Sequence, residues 1–261
     1  MVTTGLAPTE QQEEKAGRLA VELNAPYAPR ARRSLNRLIA EVGAERLLVV
    51  ETHQLCLRDN TGSEYRFHPN MFLVRGLNVL RGARDLFIEA AELGPGDSVL
   101  DCTVGFGCEA SLGALVVGET GNVVALESVP ELALVTREGM QCFPLIQKPL
   151  RAAMQRVAVC AADYKDYLPR AANGSFDIVS FDPFFPDPLR GSEHNINPLA
   201  HFGDLAPLDI PPVIEARRVA RRRVVIKHPR NYELSEEIAG ARSGVVSARR
   251  GGIAYTILPA F

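Results

Sequence analysis

The chain has 261 residues, of which 46% are hydrophobic and 23% charged, so its length suits one ordinary domain with a small appendage. No stretch approaches the ~18 uninterrupted apolar residues of a membrane span, and the N-terminus lacks the apolar run of a secretory signal, so we expect a cytoplasmic protein without membrane contact. The net charge of −2 excludes a uniformly basic nucleic-acid-binding surface but allows a local basic patch.

The N-terminal part of the chain has the pattern of a small α/β appendage. Apolar and polar residues predict, in chain order, a strand, two helices, a strand and a hairpin, at 2–5, 9–24, 31–43, 47–50 and 54–68. Asn60-Thr61-Gly62 supplies the turn of the hairpin. We place a domain boundary near residue 68, which assigns residues 1–68 to the appendage and 69–261 to the main domain.

Beyond this boundary, helices and strands alternate in the rhythm of a parallel sheet. A helix is predicted at about 70–92, and strands are predicted at 98–101, 122–127, 156–160, 176–182 and 222–227. The last stretch breaks the rhythm, because residues 244–250 and 253–258 flank a Gly251-Gly252 turn and predict a hairpin. The sequence therefore predicts a doubly wound, Rossmann-like α/β sheet of seven strands with an antiparallel C-terminal hairpin.

A glycine-rich turn follows the first strand of the main domain and opens a helix. Gly105-x-Gly107-x-x-Ala110 matches the pattern that lets a backbone approach a dinucleotide pyrophosphate. Asp101, however, ends the strand four residues before the first glycine, where its carboxylate would repel a bound anion. The same carboxylate suits the ammonium of S-adenosylmethionine, so the turn favours that cofactor.

Acidic residues also follow the next two strands. Glu127 ends its strand about 20 residues after the turn, where an acid can hold both hydroxyls of a ribose. Asp163 follows the third strand and can accept from the amino group of adenine. Each acid alone fits a helix N-cap equally well. Three acids at successive strand ends favour a cofactor site.

The candidate catalytic motif, Asp182-Pro183-Phe184-Phe185-Pro186, follows the fourth strand of the sheet. The Asp182 carboxylate and the Pro183 carbonyl can hold the protons of an amine and aim its lone pair at a methyl group. Phe185 can stack on a base, which contributes about 1 to 3 kcal/mol and offsets the cost of unstacking a nucleotide. The alternative interpretation is a core strand that ends at a proline.

These motifs resemble those of class I S-adenosylmethionine-dependent methyltransferases, and within them the RsmJ family of 16S ribosomal RNA guanine-N2 methyltransferases. The family's motif Asp-Ala-Thr-Ala-Gly-x-Gly is matched at Asp101, Thr103, Gly105 and Gly107. Its Asp-Pro-Met-Phe/Tyr-Pro motif falls on 182–186 with Phe184 at the methionine position, and Val-Val-Lys-x-Pro falls on the strand that contains Lys227. The resemblance covers about 65–230, and it implies that Thr103 belongs to the cofactor site.

Some features have weaker signals. Two clusters of basic residues have the charge to contact phosphates or to form a solvated face. They comprise Arg217, Arg218, Arg221, Arg222, Arg223, Lys227 and Arg230, and Arg30, Arg32, Arg33 and Arg37. Residues 187–207, which include His194, Asn195 and Asn197, are predicted to form a loop that covers the substrate. The five cysteines include no Cys-x-x-Cys pair, so we expect neither a disulfide framework nor a metal. His68 receives no role.

We therefore expect an S-adenosylmethionine-dependent N-methyltransferase that acts on an exocyclic amine of an RNA base, with guanine N2 of small-subunit ribosomal RNA as the leading substrate. The proposed catalytic residues are Asp182, Pro183 and Phe185, and the proposed cofactor-binding residues are Asp101, Thr103, Gly105, Gly107, Glu127 and Asp163. Three alternatives stay open. They are an amine in transfer RNA, DNA or a protein, an RNA- and cofactor-binding protein without turnover, and a dinucleotide oxidoreductase. Sequence does not give the oligomeric state.

Overall fold

The structure is a computed structural model that describes residues 1–185, 193–248 and 251–261, and of residues 193–197 it describes the backbone alone. Pro186 of the candidate catalytic motif, and the side chains of His194, Asn195 and Asn197, lie outside the described residues. The same holds for Arg249 and Arg250 in the predicted C-terminal hairpin.

The N-terminal part contains a four-stranded sheet of order β1-β2-β3-β4, in which β1 runs parallel to β2 and the other pairs are antiparallel. Its elements are β1 (Val2–Thr4), α1 (Glu10–Glu22), α2 (Leu35–Val42), β2 (Arg46–Val50), β3 (Leu55–Asp59) and β4 (Glu64–Arg66). Helix α1 begins where Thr9 and Gln12 form a reciprocal capping box. The predicted strand, two helices, strand and hairpin are all present.

The main part continues with alternating helices and strands. Its first elements are α3 (Asn70–Leu80), α4 (Leu86–Ala91), β5 (Ser98–Asp101), α5 (Cys108–Val117), β6 (Asn122–Glu127), α6 (Pro130–Cys142), α7 (Lys148–Gln155) and β7 (Val157–Ala161). The remaining elements are α8 (Tyr164–Tyr167), β8 (Phe176–Phe181), α9 (Glu193–Phe202), α10 (Ile210–Val219), β9 (Ala220–Pro229), α11 (Glu236–Ala241), β10 (Gly244–Ser247) and β11 (Ile253–Pro259).

These strands form a seven-stranded sheet of order β10-β11-β9-β8-β5-β6-β7 within the described residues. Strands β5 to β9 are parallel, whereas β10 and β11 form an antiparallel hairpin at one edge. Val99 and Leu100 are both fully buried but belong to different apolar clusters, because successive side chains of a strand point to opposite faces. Both faces of the sheet are thus covered, and the predicted doubly wound architecture is confirmed.

Two local predictions are wrong. The helix predicted at 70–92 is two helices, because Gly82 adopts a left-handed φ of 83° after α3 and the Asp85 carboxylate caps α4 by accepting from the N–H groups of Phe87 and Ile88. The loop predicted at 187–207 contains α9, a helix that ends at Phe202. Buried Leu199 and Phe202 anchor α9 to the core, which the polar composition of this stretch does not indicate.

The two sheets share an apolar core. Tyr65 and Phe67 from the N-terminal part belong to the same buried cluster as Val99 and Leu112 from the main part. Phe67 packs closely against α6, because a Cβ atom on Gly139 would lie 2.2 Å from its ring. Among the described helices, none has both the length and the hydrophobicity to cross a membrane.

Candidate active site at the carboxyl ends of the strands

The candidate site lies where the order of the sheet reverses. Strand β5 has β6 on one side and β8 on the other, and chain order continues from β5 to β6 and β7 before it returns to β8. Asp101 ends β5, Glu127 ends β6 and Asp182 directly follows β8. Open α/β sheets bind ligands at such a switch point, in the crevice beyond the carboxyl ends of their strands. The structure therefore brings these three acids to one edge.

The glycine-rich turn between β5 and α5 needs its glycines. Gly105 and Gly107 have φ angles of 50° and 68°, in the left-handed region that side chains rarely adopt. A Cβ atom on Gly107 would also lie 1.9 Å from the terminal methyl of Met140. The turn thus combines a backbone conformation and a close approach that both require glycine.

Thr136 of α6 and two aromatic residues at the end of the N-terminal part, Tyr65 and His68, support this turn. The Thr136 hydroxyl donates to the Gly105 carbonyl at 2.9 Å and lies 3.2 Å from the hydroxyl of Tyr65. Phe106 lies between the two glycines. The centroid of its ring is 4.2 Å from that of the His68 imidazole, and the two ring planes are inclined by 30°. His68 therefore packs on the candidate cofactor turn, a position that sequence reasoning did not assign.

Asp101 and Glu127 are acids without an ion-pair partner among the described residues. Asp101 is buried, and its Oδ1 atom accepts the N–H of Thr103 at 3.1 Å. Burial raises the pKa of Asp101 to about 7, and it raises the pKa of half-buried Glu127 to about 7 against the hydrogen bond from the Val129 N–H. Desolvated acids that lack a cation beside a glycine turn fit a ligand that carries an ammonium and a ribose.

Asp182 faces a buried cluster of charges that sequence reasoning missed. The Lys227 ammonium lies 2.6 Å from Oδ2 of Asp182 and 3.0 Å from Oε1 of Glu109. Burial acts to lower the pKa of Lys227, but the two carboxylates outweigh it and raise this pKa well above its usual range. The ammonium is therefore charged.

Glu109 is held from a second side by Arg75. Its Oε1 atom lies 2.7 Å from the Arg75 guanidinium and accepts the Tyr255 hydroxyl at 2.9 Å. Arg75 also forms a two-point ion pair with Asp85, at 2.8 and 2.9 Å. Burial acts to raise the pKa of Glu109, but the Lys227 and Arg75 charges hold it well below its usual range. A lone acid in the otherwise apolar start of α5 is the sequence signal for such a buried pair.

The other predicted site residues have varied surroundings. The Thr103 hydroxyl accepts the Asp182 N–H at 2.6 Å, which links the glycine turn to the candidate catalytic motif. Phe185 is half-buried, and its ring centroid lies 4.5 Å from that of Tyr232 in an edge-to-face contact. The Asp163 carboxylate accepts the Lys165 N–H at 2.7 Å and caps α8. Asp163 thus fills the N-cap position that was its alternative interpretation, with its second carboxylate oxygen outside that bond.

Helix α9 lies against the glycine turn. Cδ2 of Leu199 is 3.2 Å from the position that a Cβ atom on Gly105 would take. His201, near the end of the helix, lies 2.5 Å from Oδ2 of Asp59 at the end of β3. A cavity of about 240 Å³ opens between α9 and the N-terminal part, and Arg46, Asp59 and His201 contribute to its walls. The segment predicted to cover the substrate is therefore tied to both parts of the chain.

The arginines near β9 lie away from these acids. Arg221, Arg222 and Arg223 occupy the first half of β9, at the opposite edge of the sheet, since β9 runs parallel to β8. They form ion pairs with Asp177, Asp97 and Glu92 respectively. Arg218 pairs with Glu215, and Arg217 donates to the Pro259 carbonyl.

Some arginines of the N-terminal cluster also form ion pairs with a neighbouring acid. Arg33 and Arg37 both bind Glu41, at 2.8 and 2.7 Å. Arg30 and Arg33 flank a turn in which Ala31 and Arg32 have left-handed φ angles of 43° and 62°. Exposed Arg32 lies at the tip of that turn.

Comparisons with known proteins agree with this architecture. The chain is 36% identical over 228 residues to the uncharacterized protein YpiP of Bacillus subtilis (strain 168). The aligned residues cover 87% of this chain and 88% of YpiP. A segment of 111 residues is 32% identical to ribosomal RNA small subunit methyltransferase J of Psychrobacter cryohalolentis, covering 40% of this chain and 36% of that protein. No protein-family model matches the chain.

Among solved structures, a SAM-dependent methyltransferase from Neisseria gonorrhoeae superposes with a TM-score of 0.63 at 19% identity, covering 100% of this chain and 96% of that one. At that identity the likeness establishes the fold. The chain therefore belongs to the same family as YpiP and has the Rossmann-like fold of class I S-adenosylmethionine-dependent methyltransferases.

Proposed function

We propose that this protein is an S-adenosylmethionine-dependent methyltransferase that acts on an exocyclic amine of an RNA base. The observation that carries the proposal is a pair of acids, Asp101 and Glu127, at the ends of neighbouring strands beside a glycine turn, with no ion-pair partner among the described residues. A buried carboxyl group without a cation is costly, and a cationic ligand removes that cost. The cofactor is S-adenosylmethionine.

The residues at the carboxyl ends of β5, β6 and β7 have distinct roles in holding the cofactor. Asp101 binds the ammonium end, Glu127 accepts from the ribose hydroxyls, and Gly105 and Gly107 supply the left-handed backbone that shapes the turn. Asp163 offers the carboxylate oxygen that does not cap α8 to the adenine amino group. When bound, the cofactor supplies an electrophilic methyl group.

Asp182, Pro183 and Phe185 act on the nucleophile. The Asp182 carboxylate and the Pro183 carbonyl accept the two N–H groups of the amine, which directs the nitrogen lone pair toward the methyl group. In the transfer, the amine nitrogen would bond to the methyl carbon as the carbon–sulfur bond of the bound cofactor breaks. The sulfur would keep that electron pair in the departing thioether product, and the displaced amine proton would leave to solvent. Phe185 holds the base by its π face, at an edge-to-face distance from Tyr232.

The finer substrate assignment is guanine N2 of small-subunit ribosomal RNA. It is supported by the segment shared with ribosomal RNA small subunit methyltransferase J and by the aromatic residues that follow Asp182. An aromatic platform suits a base that has been taken out of its stack, because every base offers a π face.

The proposal is tested by transfer of labelled methyl groups to total RNA from a strain that lacks the gene, followed by nucleoside analysis. We expect labelled N2-methylguanine, and we expect Asp182→Ala to lower kcat far more than it weakens cofactor binding. Phe185→Ala should instead lower kcat/KM for RNA and keep cofactor affinity. The loss should correspond to the free energy of stacking one base, about 1 to 3 kcal/mol. Label only on ring nitrogen, carbon or ribose oxygen, or full activity of Asp182→Ala, would refute the amine mechanism.

A calorimetric titration separates this function from the dinucleotide alternative. S-adenosylmethionine should bind, and NAD should neither bind nor compete, because Asp101 faces the position that a pyrophosphate would need. Binding of NAD in preference to S-adenosylmethionine would return the chain to the oxidoreductase class.

A further inference from the structure

The Lys227 ammonium stands beside Asp182 at the mouth of the site. Strands β8 and β9 pair in parallel with Phe181 opposite Ile226, so the next residues, Asp182 and Lys227, emerge side by side at the carboxyl edge. Their side chains are 33% and 20% exposed, whereas that of Glu109, the second partner of Lys227, is 6% exposed. The ammonium therefore lies between a buried carboxylate and one that reaches the crevice.

An ammonium has three N–H donors, and two of those of Lys227 have partners among the described residues, Glu109 and Asp182. Arg75 and Tyr255 hold the Glu109 carboxylate in place, and the bond to Glu109 in turn holds the Lys227 ammonium in this position. Its third donor has no partner among the described residues, and it lies beside the carboxylate that is proposed to accept the substrate amine. The edge thus presents one acceptor, Asp182, next to one donor, Lys227.

We infer that Lys227 is a substrate-positioning residue that donates to a ring-nitrogen acceptor next to the target amine. The inference rests on the proposed function and deepens it. In guanine, the N2 amine donates and the neighbouring ring nitrogen N3 accepts, and both are attached to one carbon. Asp182 and Lys227 match that pair of groups. An alkyl amine, such as the side chain of lysine, has no acceptor there and would place a second cation against Lys227.

The test uses RNA that carries either guanine or 3-deazaguanine at the nucleotide that the labelling experiment identifies. The analogue keeps the N2 amine but lacks the N3 acceptor. We expect wild-type protein to methylate the 3-deazaguanine RNA with kcat/KM lowered about 10- to 100-fold, the range for a hydrogen bond to a charged group. Lys227→Met should be slower on guanine RNA and should not distinguish the two RNAs.

Loss of a buried charge can also affect folding, so the variants are matched. The combination Lys227→Met with Glu109→Gln removes one positive and one negative charge together and leaves the Arg75–Asp85 pair in place. Circular dichroism, thermal unfolding and S-adenosylmethionine affinity serve as controls, and we expect cofactor affinity within about twofold of wild type. This double variant should also fail to distinguish the two RNAs.

The outcomes are distinct. Equal methylation of both RNAs by wild-type protein would overturn the inference while the proposed function stands. Discrimination that persists in a folded Lys227→Met protein, or in the folded double variant, would overturn it as well. Failure of the proposed function itself would appear earlier, as the absence of methyl transfer from wild-type protein to guanine RNA.

Discussion

The hydroxyl oxygen of Thr103 accepts the backbone N–H of Asp182 at 2.6 Å. This bond joins the turn that follows β5 to the residue that follows β8, two segments separated by 79 positions in the chain. Because backbone position sets where the Asp182 carboxylate points, the hydroxyl of a residue in the cofactor turn fixes the geometry of the proposed amine acceptor.

The first prediction follows from this bond. Thr103→Val removes the acceptor and keeps the shape, so we expect kcat to fall about fivefold, which corresponds to a hydrogen bond of about 1 kcal/mol. S-adenosylmethionine affinity should change by about twofold at most, because the hydroxyl is bound to Asp182 and the Thr103 backbone stays in the cofactor turn. Thr103→Ser retains the hydroxyl and should keep most of the activity. A tenfold weaker cofactor affinity at unchanged kcat would instead assign the hydroxyl to the cofactor.

The second prediction concerns cofactor binding by Asp101. Asp101→Ala should weaken S-adenosylmethionine affinity about tenfold or more, because it removes a charge-assisted interaction of about 1.5 to 3 kcal/mol. Isothermal calorimetry on the folded variant measures this change. Glu119→Gln is the matched control, since Glu119 is an exposed acid just before β6, at the other edge of the sheet. Unchanged affinity in Asp101→Ala would remove Asp101 from the site.

The sequence predicts the positions of several candidate site residues, because these residues end or directly follow strands. Strand β6 has the predicted bounds, and β5 and β8 end within a residue of the predictions, so Asp101, Glu127 and Asp182 were correctly expected at one edge. Parallel strands put their carboxyl ends together whatever the detailed packing is. This is why a local pattern predicted a long-range arrangement.

The charge cluster behind Asp182 was not accessible in the same way. Lys227 and Glu109 are 118 positions apart, and their contact depends on the register of β9 against β8 and on the rotation of α5 over the sheet. The contact between the His68 and Phe106 rings likewise joins residues 38 positions apart. Packing of this kind leaves no periodic pattern in the sequence.

The third prediction is a pH dependence of cofactor binding. Asp101 and Glu127 have pKa values of about 7 in the cofactor-free protein, and a cationic ligand prefers their ionised forms. Affinity for S-adenosylmethionine should therefore increase from about pH 6 to about pH 8, by up to ~tenfold for each group, and then level off. Affinity that is constant across this range would contradict the raised pKa values.

The raised pKa values of Asp101 and Glu127 also determine how their contribution to folding stability changes with pH. Their pKa values in the folded chain lie above the ordinary values of 3.8 and 4.5, so the folded state binds more protons than the unfolded state between these values and about 7. Their contribution to stability is present at low pH and is lost as the pH rises to about 7. Melting curves of Asp101→Asn should show a weaker pH dependence than those of wild-type protein.

The last prediction concerns the arginines of β9. Arg221 and Arg222 lie at the amino edge of the sheet and are bound to Asp177 and Asp97, at 2.6 Å each. We therefore expect Arg221→Gln with Arg222→Gln to leave RNA affinity and its salt dependence unchanged, with a loss of stability of about 0 to 1 kcal/mol for each partly exposed pair. Filter-binding measurements of RNA affinity at several salt concentrations check this. A phosphate contact would appear as a slope of log K against log salt that is flatter by ~0.7 to 0.9 for each arginine removed, and that result would move the RNA-binding surface to this edge.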